Sequence, residues 1–269
     1  MTPAKGRSGN GKTMSNQQAV GGLRHRRKQR RDTNMKKSII LSLAFAMIIG
    51  PAFGFKEADL NQLSNSEYCV KCDLSGADLG GARLYGHNLS GADLREANLF
   101  RAYLGEANLS YADLSGASLD FAALESANLV GANLNGADLL SAFLYKTDLS
   151  KAILIDANLS RAILNEANMN GADLSGANLR YGDLKTTNLS SSNMSYTDLT
   201  RAELSGADLS GADLSGADLS SADLSSSNMS YVNLQGAVLL NTQLDFTDLT
   251  EAKFCNTVMP DGQRIFKDC

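Results

Sequence analysis

From Leu74 to Phe254 every fifth residue is large and apolar, and the register never slips. The 37 positions hold Leu except at Met169, Met194, Met229 and Phe254. Two residues earlier in each unit stands a small residue, Ala in 26 of the 37, and between the two stands most often Asp or Asn. Ser205-Gly206-Ala207-Asp208-Leu209 is the purest copy. No regular element has this period. A helix repeats every 3.6 residues and a strand every 2, and heptad and eleven-residue coils fail as well. A backbone that faces the same way every five residues needs a coil with flat sides and one corner per unit. The small and large apolar residues then point inward. The Asp, Asn, Ser and Gly between them suit the corners, because the first three bond nearby backbone and Gly tolerates left-handed dihedrals.

Composition fits a thin core repeated many times. The chain has 269 residues, no Trp and only 6% aromatics, so its apolar content is carried by Leu and Ala.

The Ala-(Asp/Asn)-Leu-x-x unit resembles the pentapeptide-repeat family over residues 72–254. That resemblance implies an all-β fold, a right-handed quadrilateral β-helix with four units per coil. It implies about nine coils, and at the usual strand spacing a rod about 44 Å long. Its stability should come mostly from neighbouring coils.

With four units per coil, residues 20 apart stack. Just before the central Leu, the face of Leu89, Leu109 and Leu129 reads Asn88, Asn108, Asn128, Asp148, Asn168, Asn188, Asp208, Asn228, Asp248. The face of Leu84, Leu104 and Leu124 reads Arg83, Tyr103, Ala123, Phe143, Ile163, Asp183, Glu203, Asp223, Gln243. Tyr85 and Tyr145 share this second face, and Phe100, Phe121, Leu140 and Tyr181 lie on the face before it. Eight of the 11 aromatics in outward slots fall on these two faces. They predict an apolar and aromatic strip that binds a protein partner or a second copy. The competing reading is a stack of aromatics that only stabilises the sheet.

The later coils are rich in carboxylates: Asp183, Asp198, Glu203, Asp208, Asp213, Asp218 and Asp223. Some members of the family imitate duplex DNA and bind gyrase, so the resemblance offers an acidic mimic as an alternative function. A solvated face whose Asp residues serve the turns is the simpler reading. A third possibility is an envelope spacer with no specific ligand. Nucleic acid is not an expected partner.

The ends, residues 55–71 and 255–269, read as caps. They hold all four cysteines: Cys69, Cys72, Cys255 and Cys269. On the rod implied by the resemblance, opposite ends lie too far apart for a disulfide, whose Cα atoms approach within about 7 Å. That leaves Cys69–Cys72 and Cys255–Cys269. A thioredoxin-like role for Cys69-x-x-Cys72 lacks its βαβ context. Met259-Pro260-Asp261-Gly262 is a turn signal.

The head differs in kind. Eleven of the first 37 residues are Lys or Arg against one acid, while the chain from Phe55 onward has 14 basic and 28 acidic residues. Met35-Lys36-Lys37, an apolar run from Ser38 to Ile49, and Gly50-Pro51-Ala52-Phe53-Gly54 read as a secretory signal cut after Gly54. Residues 1–34 then form a disordered or untranslated leader. The expected location is the periplasm, a thylakoid lumen or the cell exterior, with no stable membrane insertion after cleavage. Residues 38–55 are just long enough for an uncleaved membrane anchor, the rival reading.

Catalytic sets are missing from the pattern. His87 is the one histidine after the head and fills an inward slot. No EF-hand, calcium nonapeptide or phosphate loop occurs. The expectation is a noncatalytic binding or scaffold protein without cofactor or metal.

Overall fold

The computed structural model describes residues 55–269; the leader, signal and anchor readings lie outside the described residues. Parallel bridges join residues 20 apart, from Tyr68↔Asn88 to Val238↔Val258. Four five-residue units therefore complete each turn, giving a quadrilateral β-helix. We number its faces by their first Leu: face 1 from Leu74, face 2 from Leu79, face 3 from Leu84 and face 4 from Leu89. Each face pairs with the next coil through one bridged residue rather than an extended strand. A corner every five residues leaves no room for more.

The corners explain the period. From Lys71 to Asn256, every fifth residue has a φ between 54 and 72°, whether Gly or not. The residue after it donates its N–H three residues back, as Ala77 does to Leu74 at 3.0 Å. A positive φ at the third of four residues with that bond is the type II pattern. At 25 of these corners the residue is not Gly. Left-handed backbone costs such a residue about 1–2 kcal/mol, which the surrounding bonds must offset. Gly is needed where a neighbour closes in: a Cβ on Gly131 would sit 2.7 Å from the Tyr111 ring, one coil below.

Backbone donors can be followed through one whole unit. Leu74 N–H donates to Asp93 and Gly76 N–H to Arg95, both one coil ahead. Ala77 N–H closes the corner, and Asn98 N–H donates back to Ala77. The fifth donor, the residue after the central Leu, has no backbone partner. Ser75 N–H donates instead to Asp73 Oδ1, two residues earlier. This is an Asx turn, and it is the reason the slot before the central Leu favours Asp and Asn.

The interior is a stack of fully buried Leu and Ala. At most positions where Thr replaces Ala, its hydroxyl donates to a carbonyl of the coil below: Thr147 to Leu124 at 2.8 Å, Thr187 to Leu164 at 2.9 Å, Thr242 to Leu219 at 2.7 Å; Thr197 donates instead to Met194 in its own coil, at 2.7 Å. His87 is buried in the same inward slot, with Nδ1 3.2 Å from the Tyr85 carbonyl.

An α-helix, α1 (Glu57–Asn65), closes the N-terminal end, an element outside the all-β expectation. It lays Leu60 and Leu63 on the first coil, and its Asp59 carboxylate accepts from Asp73 N–H at 2.8 Å. Acidic Glu57 and Asp59 suit its first turn. Cys69 and Cys72 are joined across the first corner, with Cα atoms 5.3 Å apart. Cys69 occupies a central Leu slot, so coil geometry begins before the first Leu. At the other end β1 (Thr257–Val258) pairs antiparallel with β2 (Arg264–Ile265) around the Met259–Gly262 turn. Cys255 and Cys269 are joined with Cα atoms 4.9 Å apart.

Candidate binding surface

The fifth donor divides the faces. All 26 Asp and Asn residues in the slot before the central Leu accept it from the N–H two residues on. Seven of the 11 exceptions lie on face 3: Arg83, Tyr103, Ala123, Phe143, Ile163, Glu203 and Gln243. Consequently, among the described residues, no acceptor meets the N–H of Tyr85, Gly105, Glu125, Tyr145 or Asn165. Five successive coils thus carry a line of unpaired backbone donors beside the side chains that the sequence singles out, of which Gly105 is buried against the Tyr85 ring.

Those side chains do not form one continuous apolar strip. Tyr103 and Phe143 are exposed on face 3, whereas Ile163 and Tyr145 are half-buried. Ala123 stands between Tyr103 and Phe143 in the ladder. Phe100 and Phe121 meet edge to face at 6.0 Å, with Arg101 5.0 and 5.7 Å from their centroids. Leu140 is half-buried on the same corner. The Tyr85 ring lies against Gly105, where a Cβ would come within 3.1 Å. Tyr145 donates to Glu166 at 3.0 Å, and Lys146 reaches both that carboxylate and the Tyr145 ring. Tyr181 sits among Arg161, Arg180 and Arg201, each within 5.8 Å of its centroid. Off the strip, Tyr196 at 75% and Tyr111 at 72% are more exposed than any member of it. The strip is therefore set apart by its neighbours rather than by exposure alone.

Arginine is the component that aromatic counting overlooks. Five of the seven arginines after Phe55 lie on faces 2 and 3: Arg83, Arg101, Arg161, Arg180 and Arg201. Of these five, only Arg180 is ion-paired among the described residues, with Asp198 at 3.0 Å. Sorting charged residues by 20-residue column would have found them. The Arg201 guanidinium, helped by a hydrogen bond from Arg180, holds the Tyr181 phenol below its ordinary range. On Tyr85 a hydrogen bond with Glu106 acts in the opposite direction and raises the phenol.

The acidic late coils are organised differently. Asp183, Asp198, Asp208, Asp213, Asp218 and Asp223 all turn an oxygen inward to a corner N–H. Lys185 links Asp183 and Glu203 on face 3. These carboxylates serve the turns, as the simpler reading expects. Among the described residues no group of three His, Cys, Asp or Glu side chains is placed to hold a metal. No described helix is long and apolar enough to cross a membrane.

The family profile Pentapeptide repeats matches the chain in eight copies between residues 72 and 256. Among solved structures, the chain is similar to HetL, a pentapeptide repeat protein involved in heterocyst differentiation regulation in the cyanobacterium Nostoc sp. strain PCC 7120. The identity is 34%, over 77% of this chain and 97% of that one, with a TM-score of 0.41. It is also similar to trypsin-treated QnrB1, a plasmid-mediated fluoroquinolone resistance protein, at 25% identity over 68% of this chain and 90% of that one, with a TM-score of 0.45. A pentapeptide repeat protein from the Arabidopsis thaliana thylakoid lumen matches at 27% identity over 57% of this chain and 74% of that one, with a TM-score of 0.16. None of the curated proteins compared matches the chain.

Proposed function

Because the chain belongs to the pentapeptide-repeat family, whose members form right-handed quadrilateral β-helices, we propose that it is a noncatalytic, exported scaffold that binds protein through faces 2 and 3. One observation carries this reading. Face 3 gives up the Asx residue in seven of its nine coils and sets Tyr, Phe and Ile there, beside a corner column of arginine and aromatics. Tyr, Phe and Arg are the residues enriched at protein interfaces. The bare N–H groups beside them offer a partner directional hydrogen bonds. Export is supported by the signal-like segment 35–54 and by two disulfides, which persist in oxidising compartments.

Two measurements test the proposal. The mass of the mature protein should place its N-terminus at Phe55; a chain starting at Met1 would remove export. Tyr103→Asp, Phe143→Asp and Ile163→Asp should abolish complex formation and leave the circular dichroism unchanged. A complex that survives all three overturns faces 2 and 3 as the docking surface.

A further inference from the structure

We infer that the strip on faces 2 and 3 takes a second copy of this chain, side by side and antiparallel, about a two-fold axis through Phe143 of both copies. The inference rests on reading the strip as a docking surface and names its partner.

In such a pairing the axis lies in the interface, perpendicular to both rods. Each outward column then meets the same column of the other copy in reverse order. Facing residues within a column have numbers with a constant sum, so every register can be read off the columns. With Phe143 on the axis, Arg83 faces Glu203, Tyr103 faces Asp183 and Ala123 faces Ile163. In the corner column, Arg101 faces Tyr181 and Phe121 faces Arg161. In the column beside it, Phe100 faces Arg180 and Leu140 faces Leu140. Every arginine of the strip except Arg201 thus meets a carboxylate or an aromatic face, contacts of the kind Arg101 and Arg161 already make within the chain. Arg201 faces Gly81.

Neighbouring registers fail on charge. A slip by one coil sets Arg101 against Arg161 in one direction and against Arg201 in the other. A slip by two coils opposes Asp120 to Asp120, or Arg161 to Arg161. On face 3 and its two corners the one like-charge pair in the chosen register is Lys146 with its copy, at the far corner of face 3; in the middle of face 2, at the margin of the contact, the same register sets Asp138 against its copy and Asp78 against Asp198. Each Lys146 is held there by its own Glu166 at 3.3 Å.

The rods meet over six coils, from Arg83 to Glu203. That is a contact roughly 29 Å long and roughly 10 Å wide, about 300 Å² on each copy and below the usual size of a specific interface. The dimer is therefore a weak one, formed toward about 100 μM and dissociated well below it.

Sedimentation velocity on the mature chain over that range tests the pairing. Within one chain Arg83 and Glu203 are six coils apart and cannot touch. Arg83→Glu alone and Glu203→Arg alone should each weaken the dimer by about fivefold or more, since each dimer holds the pair twice. Combining them should restore it, because only a second copy can bring the two positions together. Phe143→Cys should form a disulfide-linked dimer on mild oxidation, and Tyr231→Cys on face 4 should not. A monomer at the highest concentration overturns the inference, as does a double reversal that fails to rescue. If the chain is monomeric while Tyr103→Asp still abolishes binding of another protein, self-pairing falls and the docking surface stands. If Tyr103→Asp affects neither, both fall.

Discussion

Faces 3 and 4 adjoin each other on the same coil and share one interior, yet their outward residues follow different rules. On face 4 all nine slots before the central Leu hold Asp or Asn, and each accepts its corner N–H. Their amides also bond between coils, as Asn168 to Asp148 and Asn188 to Asn168, both at 3.1 Å. On face 3 only Asp183 and Asp223 keep the role. The coil is nevertheless unbroken there: Arg83, Tyr103, Ala123, Phe143 and Ile163 bridge in sequence like any other column. Interior packing and the four backbone donors hold the coil without the fifth. A face can therefore be released from turn service and given other residues, at the cost of bare N–H groups.

If that is right, the interior should not distinguish the faces. Leu144→Ala on face 3 and Leu149→Ala on face 4, both fully buried, should each lose about 2–5 kcal/mol in denaturant unfolding. A gap of more than about 1 kcal/mol between them would show that the outward residues matter to the coil. The outward slots should differ. Asn168→Ala removes two amide bonds between coils and the acceptor of Asn170 N–H, and should cost about 1–3 kcal/mol. The reverse change on face 3, Phe143→Asn, supplies an acceptor for the bare Tyr145 N–H. It should raise stability by about 0.5–1 kcal/mol while abolishing self-association. If stability and association fell together, Phe143 would belong to the fold and not to an interface.

The same contrast marks what the sequence could show. The period, the inward Leu and Ala and the corners follow from residue type alone, because each unit repeats one set of demands. Expecting Asp or Asn at corners was right in kind, but its target, the N–H two residues on, depends on which donors the neighbouring coil has already taken. Residues such as Tyr111 and Thr186 in left-handed backbone run against local preference, since the coil imposes its corner whatever stands there. Helix α1 left no periodic signature, as it is short and buries only Leu60 and Leu63. The arginine column was present in the sequence but lost among aromatics, because its effect comes from stacking every 20 residues. Ser227 shows the limit in the interior. It fills an Ala slot, its hydroxyl is buried, and no partner meets it among the described residues. Ser227→Ala should gain about 1 kcal/mol, measured as a rise in thermal midpoint. Thr187→Ala, which breaks a bond to Leu164, should lose stability.

The smallest expected effect is on pH. Asp223 on face 3 and Asp248 on face 4 are both held below the ordinary carboxylate range, Asp223 by hydrogen bonds from Ser225 and Asp248 by those from Thr250. A carboxyl whose folded value lies below its unfolded one stabilises the fold above the unfolded value and ceases to do so as pH falls through the folded one. The thermal midpoint should therefore be flat from neutral pH down to about 4 and decline below it. Asn in the same slot keeps the accepting oxygen and carries no proton to gain. Asp223→Asn should thus shrink the acid decline by a shift on the order of 1 °C. An unchanged decline in Asp223→Asn would mean that the negative charge adds nothing to the corner bond beyond what a neutral amide oxygen supplies, and that Asp and Asn are equivalent in this slot on both faces.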